Sequence, residues 1–204
     1  MGSKKLTIYE QTYEAIRDMI FSGKLTNGEK IVETRLAKQL GVSRTPLREA
    51  IKRLEQEKLI RNNQIYNPSE QDYQDIFELR ILIEKFAVIR ATHFFTEDDL
   101  REMERLVEIG YTGDSKEVMN ANKLFHEKIV KATKNNFMIE TFNQMQSIIY
   151  LFRKMVLTHK RPGLIDEHRE IVLAMKKRDA NKAEALMEQH LKADLEFAMY
   201  YLRD

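Results

Sequence analysis

The sequence predicts a mainly α-helical protein in two parts, a small basic helical module at residues 1–66 and an all-helical bundle at 67–204. Three observations predict it. Glycines number seven and prolines three, the stretches 69–109, 114–161 and 164–204 contain neither, and their apolar residues recur at helical rather than alternating spacing. Charge divides at Pro68: residues 1–66 carry 13 Lys and Arg against 8 Asp and Glu, a balance of +5, whereas the rest balances at −3. That asymmetry suits a module that meets a polyanion joined to one that does not. Third, the stretch GVSRTPLREAIKRLEQEKLI at 41–60 follows a glycine with arginines and then a tightly amphipathic run.

The first module opens with a helix near 7–22 carrying Tyr9, Tyr13, Ile16 and Ile20. After SGKLTNGEKI comes a short helix near 34–40, which Gly41 ends. Leu47, Ala50, Ile51 and Leu54 then recur at i, i+3, i+4 and i+7, so one face of the next helix must be buried. Pro46 fits the first turn of that helix, where its missing N–H loses no partner. Two short helices across a glycine turn form a helix-turn-helix. With Leu47, Ile51 and Leu54 packed inward, Arg44, Thr45, Arg48 and Lys52 project outward, where a recognition helix meets the major groove. Arginine there pairs with a guanine edge or with phosphate, and serine and threonine suit phosphate. Three basic residues at helical spacing are equally a solvated face when taken alone.

In the second part helices are expected at 69–95, 96–110, 115–134, 136–157, 164–178 and 180–203. Thr96 with Asp99 three residues on caps the second of these, and Asp179 caps the last. No internal repeat or low-complexity tract is visible. The absence of cysteine excludes disulfides, thiolate metal sites and a cysteine nucleophile. No apolar run approaches the roughly 18 residues of a membrane span, and the polar start Met1–Lys5 has no apolar region behind it, so a cytoplasmic protein is expected.

Polar residues interrupt the apolar stripes of the bundle. His168 falls among Leu164, Ile165, Ile171, Val172 and Met175; His190 falls among Leu186, Met187, Asp194 and Phe197; and Asn122 shares a face with Val118, Phe125 and Ile129. His126 follows Asn122 at i+4, which makes the two side chains neighbours. A lone histidine of this kind is usually a hydrogen-bonded core residue. Three of them with an asparagine suggest a divalent metal, because imidazole nitrogen and amide oxygen both ligate such ions and leave positions open for water or a ligand. Arg80 lies likewise among Ile76, Ile83 and Ala87, while Tyr150 and Arg153 are weaker pocket candidates.

At these residues the chain resembles the GntR family of bacterial transcription regulators, in the class with a FadR-like helical domain called FCD. IRDMIFSGKLTNGEKIVETRLAKQLGVSRTPLREAIKRLEQEKLI follows the family pattern, with SRTPLREA its most specific stretch. The resemblance implies a winged helix-turn-helix, binding to operator DNA as a homodimer, and DNA contacts from Arg35, Ser43, Arg44, Thr45 and Arg48. It also implies a metal set of an Asp or Asn four residues before one histidine, with two more histidines about 22 residues apart on the last two helices. Here these are Asn122, His126, His168 and His190, with zinc or nickel as the ion, and His93 and His159 fall outside the pattern. One departure is the wing: RNNQIYNPS is short and has no glycine, so Asn62, Asn63 and Gln64 are either a reduced wing or a plain solvated turn.

Charge then bears on the effector. Asn122 contributes none, so the ion keeps +2 from these four ligands and should favour a small carboxylate in its open positions. Arg80 either grips the second carboxylate oxygen or forms an internal ion pair with Glu84 at i+4. The expected protein is a DNA-binding regulator controlled by a carboxylate at a metal-containing pocket, not an enzyme. The alternatives are a regulator for which the metal itself is the signal, and a metal-dependent hydrolase using the three histidines.

Overall fold

A computed structural model describes residues 6–202, with side chains except at 147, 153–158 and 202. The described residues divide into two compact units, one of 6–68 with 144–148, the other of 69–143 with 149–202.

The first unit runs α1 (Ile8–Phe21), α2 (Glu33–Leu40), α3 (Arg44–Gln56), β1 (Ile60–Arg61) and β2 (Gln64–Ile65). Thr7 and Glu10 form a reciprocal capping box that starts α1. Gly41 ends α2 in the left-handed region, φ 66°, where a residue with a Cβ is strained. α3 packs on α1 and α2. Leu47, Ala50, Ile51 and Leu54 are all buried there, together with Tyr13, Ile16 and Leu36. β1 and β2 pair antiparallel with Ile60 opposite Ile65, and a backbone bridge joins Lys30 to Gln64.

The wing is therefore present but minimal. Its two-residue turn needs positive φ twice, and Asn62 and Asn63 supply it, at 50° and 60°, because asparagine tolerates that region. The side-chain amide of Asn63 donates to the Ile31 carbonyl at 3.1 Å, which ties it into the unit, whereas Asn62 and Arg61 stay exposed.

The second unit is helical throughout: α4 (Glu70–Phe94), α5 (Glu97–Thr112), α6 (Ser115–Lys131), α7 (Asn136–Thr158) apart from its residues 144–148, α8 (Leu164–Lys176) and α9 (Ala180–Leu202). Capping boxes at Ser69/Asp72, Thr96/Asp99 and Asp114/Glu117 open α4, α5 and α6, and Asp179 Oδ1 accepts from the Lys182 N–H at 3.0 Å to open α9. Each such cap is worth about 1 kcal/mol. α4 lies against α6 and α9, and α8 against α5 and α9. The α5–α8 approach is close enough that a Cβ at Gly110 would stand 2.7 Å from the Ile165 side chain. Phe77, Ala87, Phe125, Ile129, Ile171, Met175, Met187 and Leu191 fill the centre, and the polar groups considered next are set among them.

Candidate metal centre and nucleic-acid interface

Four helices of the second unit bury polar side chains, and contacts join His126, His168, His190, Glu84 and Arg80 into one group, whereas Asn122 is placed only by its burial one turn before His126. α6 carries Asn122 and His126, α8 carries His168, α9 carries His190, and α4 carries Arg80 and Glu84; all six are buried. His126, His168 and His190 each offer a ring nitrogen within 4.8 Å of the other two. Their rings pack face or edge to one another, and Phe125 stacks on His168 at 4.1 Å, which fixes its plane. His159 stacks instead on Tyr201, and His93 is exposed beside Phe94, so neither joins the cluster.

Carboxylates orient two of the three imidazoles. Glu84 Oε2 lies 2.5 Å from His126 Nδ1, and Glu167 Oε2 lies 2.7 Å from His190 Nδ1. An ionised carboxylate only accepts, so each Nδ1 carries a proton, and in a neutral imidazole Nε2 then keeps the lone pair. The Nε2 of His190 faces the group, 3.2 Å from His168 Nε2. Two nitrogens bound to one zinc at about 2.1 Å in a tetrahedral site are separated by about 3.4 Å. The donor set and spacing fit a divalent ion, and carboxylate-backed histidines are the usual support of a metal site.

Electrostatics agree with a neutral imidazole at His126. Burial pushes the His126 imidazole down to about 4, against the pull of Glu84. Burial alone would raise the Glu84 carboxyl, but His126 and Arg80 outweigh it and hold it well below the usual carboxylate range. At neutral pH the contact is a neutral imidazole donating to an ionised carboxylate.

Arg80 does two things at once. Its Nε donates to Glu84 Oε1 at 2.8 Å, the ion pair that the i+4 spacing suggests. Its Nη1 and Nη2 are buried and have no hydrogen-bond partner among the described residues, although the side chain is only 1% exposed. A guanidinium with one edge satisfied and the other bare is matched to a carboxylate, which takes two parallel N–H donors.

Three groups escaped the sequence reading as parts of the site. Arg161, just before α8, donates through Nη2 to both Glu167 oxygens at 2.8 and 3.1 Å, and its Nε pairs with Asp194 Oδ1 at 3.1 Å. Asp194 Oδ2 lies 3.7 Å from His190 Nε2. The signals were the Glu167–His168 adjacency and the i+4 step from His190 to Asp194, both of which also describe an ordinary helix surface. They change the charge count. Among the described residues Arg80 and Arg161 are set against Glu84, Glu167 and Asp194, a sum of −1, so a divalent ion brings the pocket to +1 rather than +2. Tyr150 is half-buried on α7, and the Arg153 side chain lies outside the described residues.

In the first unit Ser43, Arg44, Thr45, Arg48 and Lys52 are exposed along one side of α3, with Ser43 as its N-cap, opposite the buried Leu47–Leu54 stripe. Arg35 is exposed on α2 and paired with Glu29, and Arg48 is paired with Glu33, each at 2.8 Å. These are surface pairs that exchange readily for phosphate. Arg61, on the exposed hairpin, is a further cation beyond the predicted set.

Two family models match, the gntR family of bacterial regulatory proteins over residues 8–64 and the FCD domain over residues 75–193. Among curated relatives, the chain is 29% identical to the HTH-type transcriptional regulator YdhC of Bacillus subtilis, over 98% of this chain and 95% of that one. It is 29% identical to the gluconate operon transcriptional repressor of the same species, over 93% of this chain and 82% of the repressor. In fold it is similar to the solved structure of Escherichia coli McbR/YncC, with a TM-score of 0.76 at 21% identity, covering 96% of this chain and 99% of that one. No described helix is long and apolar enough to cross a membrane. A regulator's domains and relatives leave no place for the hydrolase alternative. With an N-terminal helix-turn-helix of one kind and a C-terminal helical domain of the other, the chain belongs to the GntR family of DNA-binding transcriptional regulators, in its FCD class.

Proposed function

We propose that the protein is a cytoplasmic, ligand-responsive regulator whose operator affinity is set by a small carboxylate bound beside a divalent metal ion in the helical domain, residues 67–204, and read out by the DNA-binding domain, residues 1–66. His126, His168 and His190, with Asn122 through its amide oxygen, would hold the ion, zinc or nickel by its donors. Bound there, the ion would supply positive charge and an open position for an anion. The observation that carries the effector assignment is the bare edge of Arg80: two buried NH2 groups without a hydrogen-bond partner imply a bidentate anionic one.

Two copies are needed, because one recognition helix reads too few base pairs and two-fold dimers address paired half-sites. Leu79, Leu82 and Phe86 favour pairing through α4: they follow one another at helical spacing and are exposed, Leu82 at 70%. An effector preferring one arrangement of the dimer shifts operator affinity by its differential affinity for the two states. Arg35, Ser43, Arg44, Thr45 and Arg48 would contact the operator.

The test is calorimetric titration of a panel of small carboxylates, gluconate included, into zinc-loaded protein and into Arg80→Met. At least one should bind the wild type and alter operator affinity, and the substitution should weaken it by roughly ten- to a hundredfold, the range of a charge-assisted pair. Equal binding to both proteins would remove Arg80 from the site. The alternative in which the metal alone is the signal is favoured by the compact histidine group itself. Operator binding that switches with zinc and responds to no carboxylate would establish it.

A further inference from the structure

Asp194 has no role in the reading above, yet its placement is costly. It sits on α9 one turn after His190, is 3% exposed, and projects Oδ2 to 3.7 Å from the His190 nitrogen that carries the inward lone pair. Its only cationic side-chain partner among the described residues is Arg161, at 3.1 Å from Oδ1, and Oδ1 has no hydrogen bond of acceptable geometry. Arg161 does not require it, since Glu167 already accepts from the Arg161 guanidinium twice. A buried carboxylate with a weak partner on one side and a metal-facing imidazole nitrogen on the other lacks a cation. Of the three acids around the cluster, Glu84 and Glu167 are each engaged by a histidine N–H and an arginine, so Asp194 is the one whose charge is left over.

We infer that Asp194 is the anionic member of the metal site, attracting the divalent ion by its charge and accepting a hydrogen bond from water held in the ion's open position. The compact group of possible direct donors is the three imidazoles, and Asp194 stands beside it rather than within it. Its negative charge supplies what the amide of Asn122 lacks. By the same token it sets the charge of the loaded pocket at +1, a match for a monocarboxylate and a poorer one for a dicarboxylate. The inference rests on the reading of the three histidines as a metal site.

The experiment is zinc affinity by chelator competition on the full-length protein, comparing wild type, Asp194→Asn and the double variant Asn122→Asp/Asp194→Asn. Loss of an outer-shell partner typically weakens metal binding about ten- to a hundredfold, and that fall is expected for Asp194→Asn. The double variant returns a carboxylate to the site from a different helix and should recover at least half of the logarithmic loss. A merely structural aspartate, holding Arg161 in place, would not be rescued from α6. Should Asp194→Asn not fold, Asp194→Glu carries the test: it keeps the charge and should stay within about threefold of wild type, and a tenfold loss would overturn the inference. If the wild type binds zinc and Asp194→Asn binds it equally well, the inference fails and the metal site stands. If the wild type binds no zinc, both fail.

Discussion

Arg48 is held by Glu33 in the free protein, an exposed pair at 2.8 Å worth less than about 1 kcal/mol, and it must leave that partner to meet DNA. Arg44, one turn earlier, is exposed on the same side of α3. Arg44→Ala and Arg48→Ala are each expected to weaken operator binding by roughly 1–3 kcal/mol if they read a base edge. If they touch only phosphate, binding should drop alike on specific and unrelated duplexes and the salt slope should fall by about 1 per residue. Fluorescence anisotropy across a salt series separates these outcomes, and an unchanged double variant would take both residues off the interface. Which residues could be read in the sequence follows from what each depends on. The arginines of α3 announce themselves because the Leu47, Ile51 and Leu54 stripe defines the opposite face. His126, His168 and His190 do so because a polar residue on an apolar stripe is conspicuous. Glu167, Asp194 and Arg161 do not, since acids and arginines at helix edges are ordinary surface residues until tertiary packing covers them, Asp194 and Arg161 fully and Glu167 in part.

Among the elements, boundaries were legible wherever punctuation was chemical. The scarcity of glycine and proline places α4 to α9 within a few residues, and Thr96, Asp99 and Asp179 cap where their spacing predicts. The hairpin was harder to read: a turn made of two left-handed asparagines carries no glycine to mark it, and strands of two residues have no period. Gly41 is the position where the turn between α2 and α3 has least latitude. A Cβ there meets nothing within 4 Å, so Gly41→Ala should cost only the left-handed penalty, about 1–2 kcal/mol, read as a lower denaturation midpoint. The cap of α5 makes a separate, pH-dependent contribution. Lys128, on α6, and the Thr96 cap hold the Asp99 carboxyl down at about 2, below its ordinary 3.8. A depressed carboxylate stabilises the fold above its unfolded value, and that contribution is lost as pH falls through the folded one. Melting temperature should therefore drop between about pH 4 and pH 2, and Asp99→Asn should flatten that part of the profile while lowering stability at pH 7.

For the whole molecule, two properties are expected to depend on association and on the ion. Leu82→Glu places a charge in the middle of the exposed α4 face, beside Phe86 at 45% exposure, and should yield a monomer by light scattering with markedly weaker operator binding. A variant that stayed dimeric would move the interface off α4. The loaded and metal-free proteins should also differ in stability. A ligand present at a hundred times its dissociation constant stabilises by about 2.7 kcal/mol, so chelation should lower the melting midpoint by several degrees, and returning zinc should restore it.

The buried pair of Arg80 and Glu84 has a meaning for how such a protein ages over generations. Two charges in the middle of a helical bundle, one of them with most of its donors idle, are a poor way to hold helices together, and well-packed apolar residues in their place are often neutral or stabilising. Drift in a lineage that no longer needed to sense anything would replace both positions together, because losing one alone strands the other. If Arg80 holds the effector as proposed, such a descendant would be no less sturdy than its ancestor, still able to dock on DNA, and deaf.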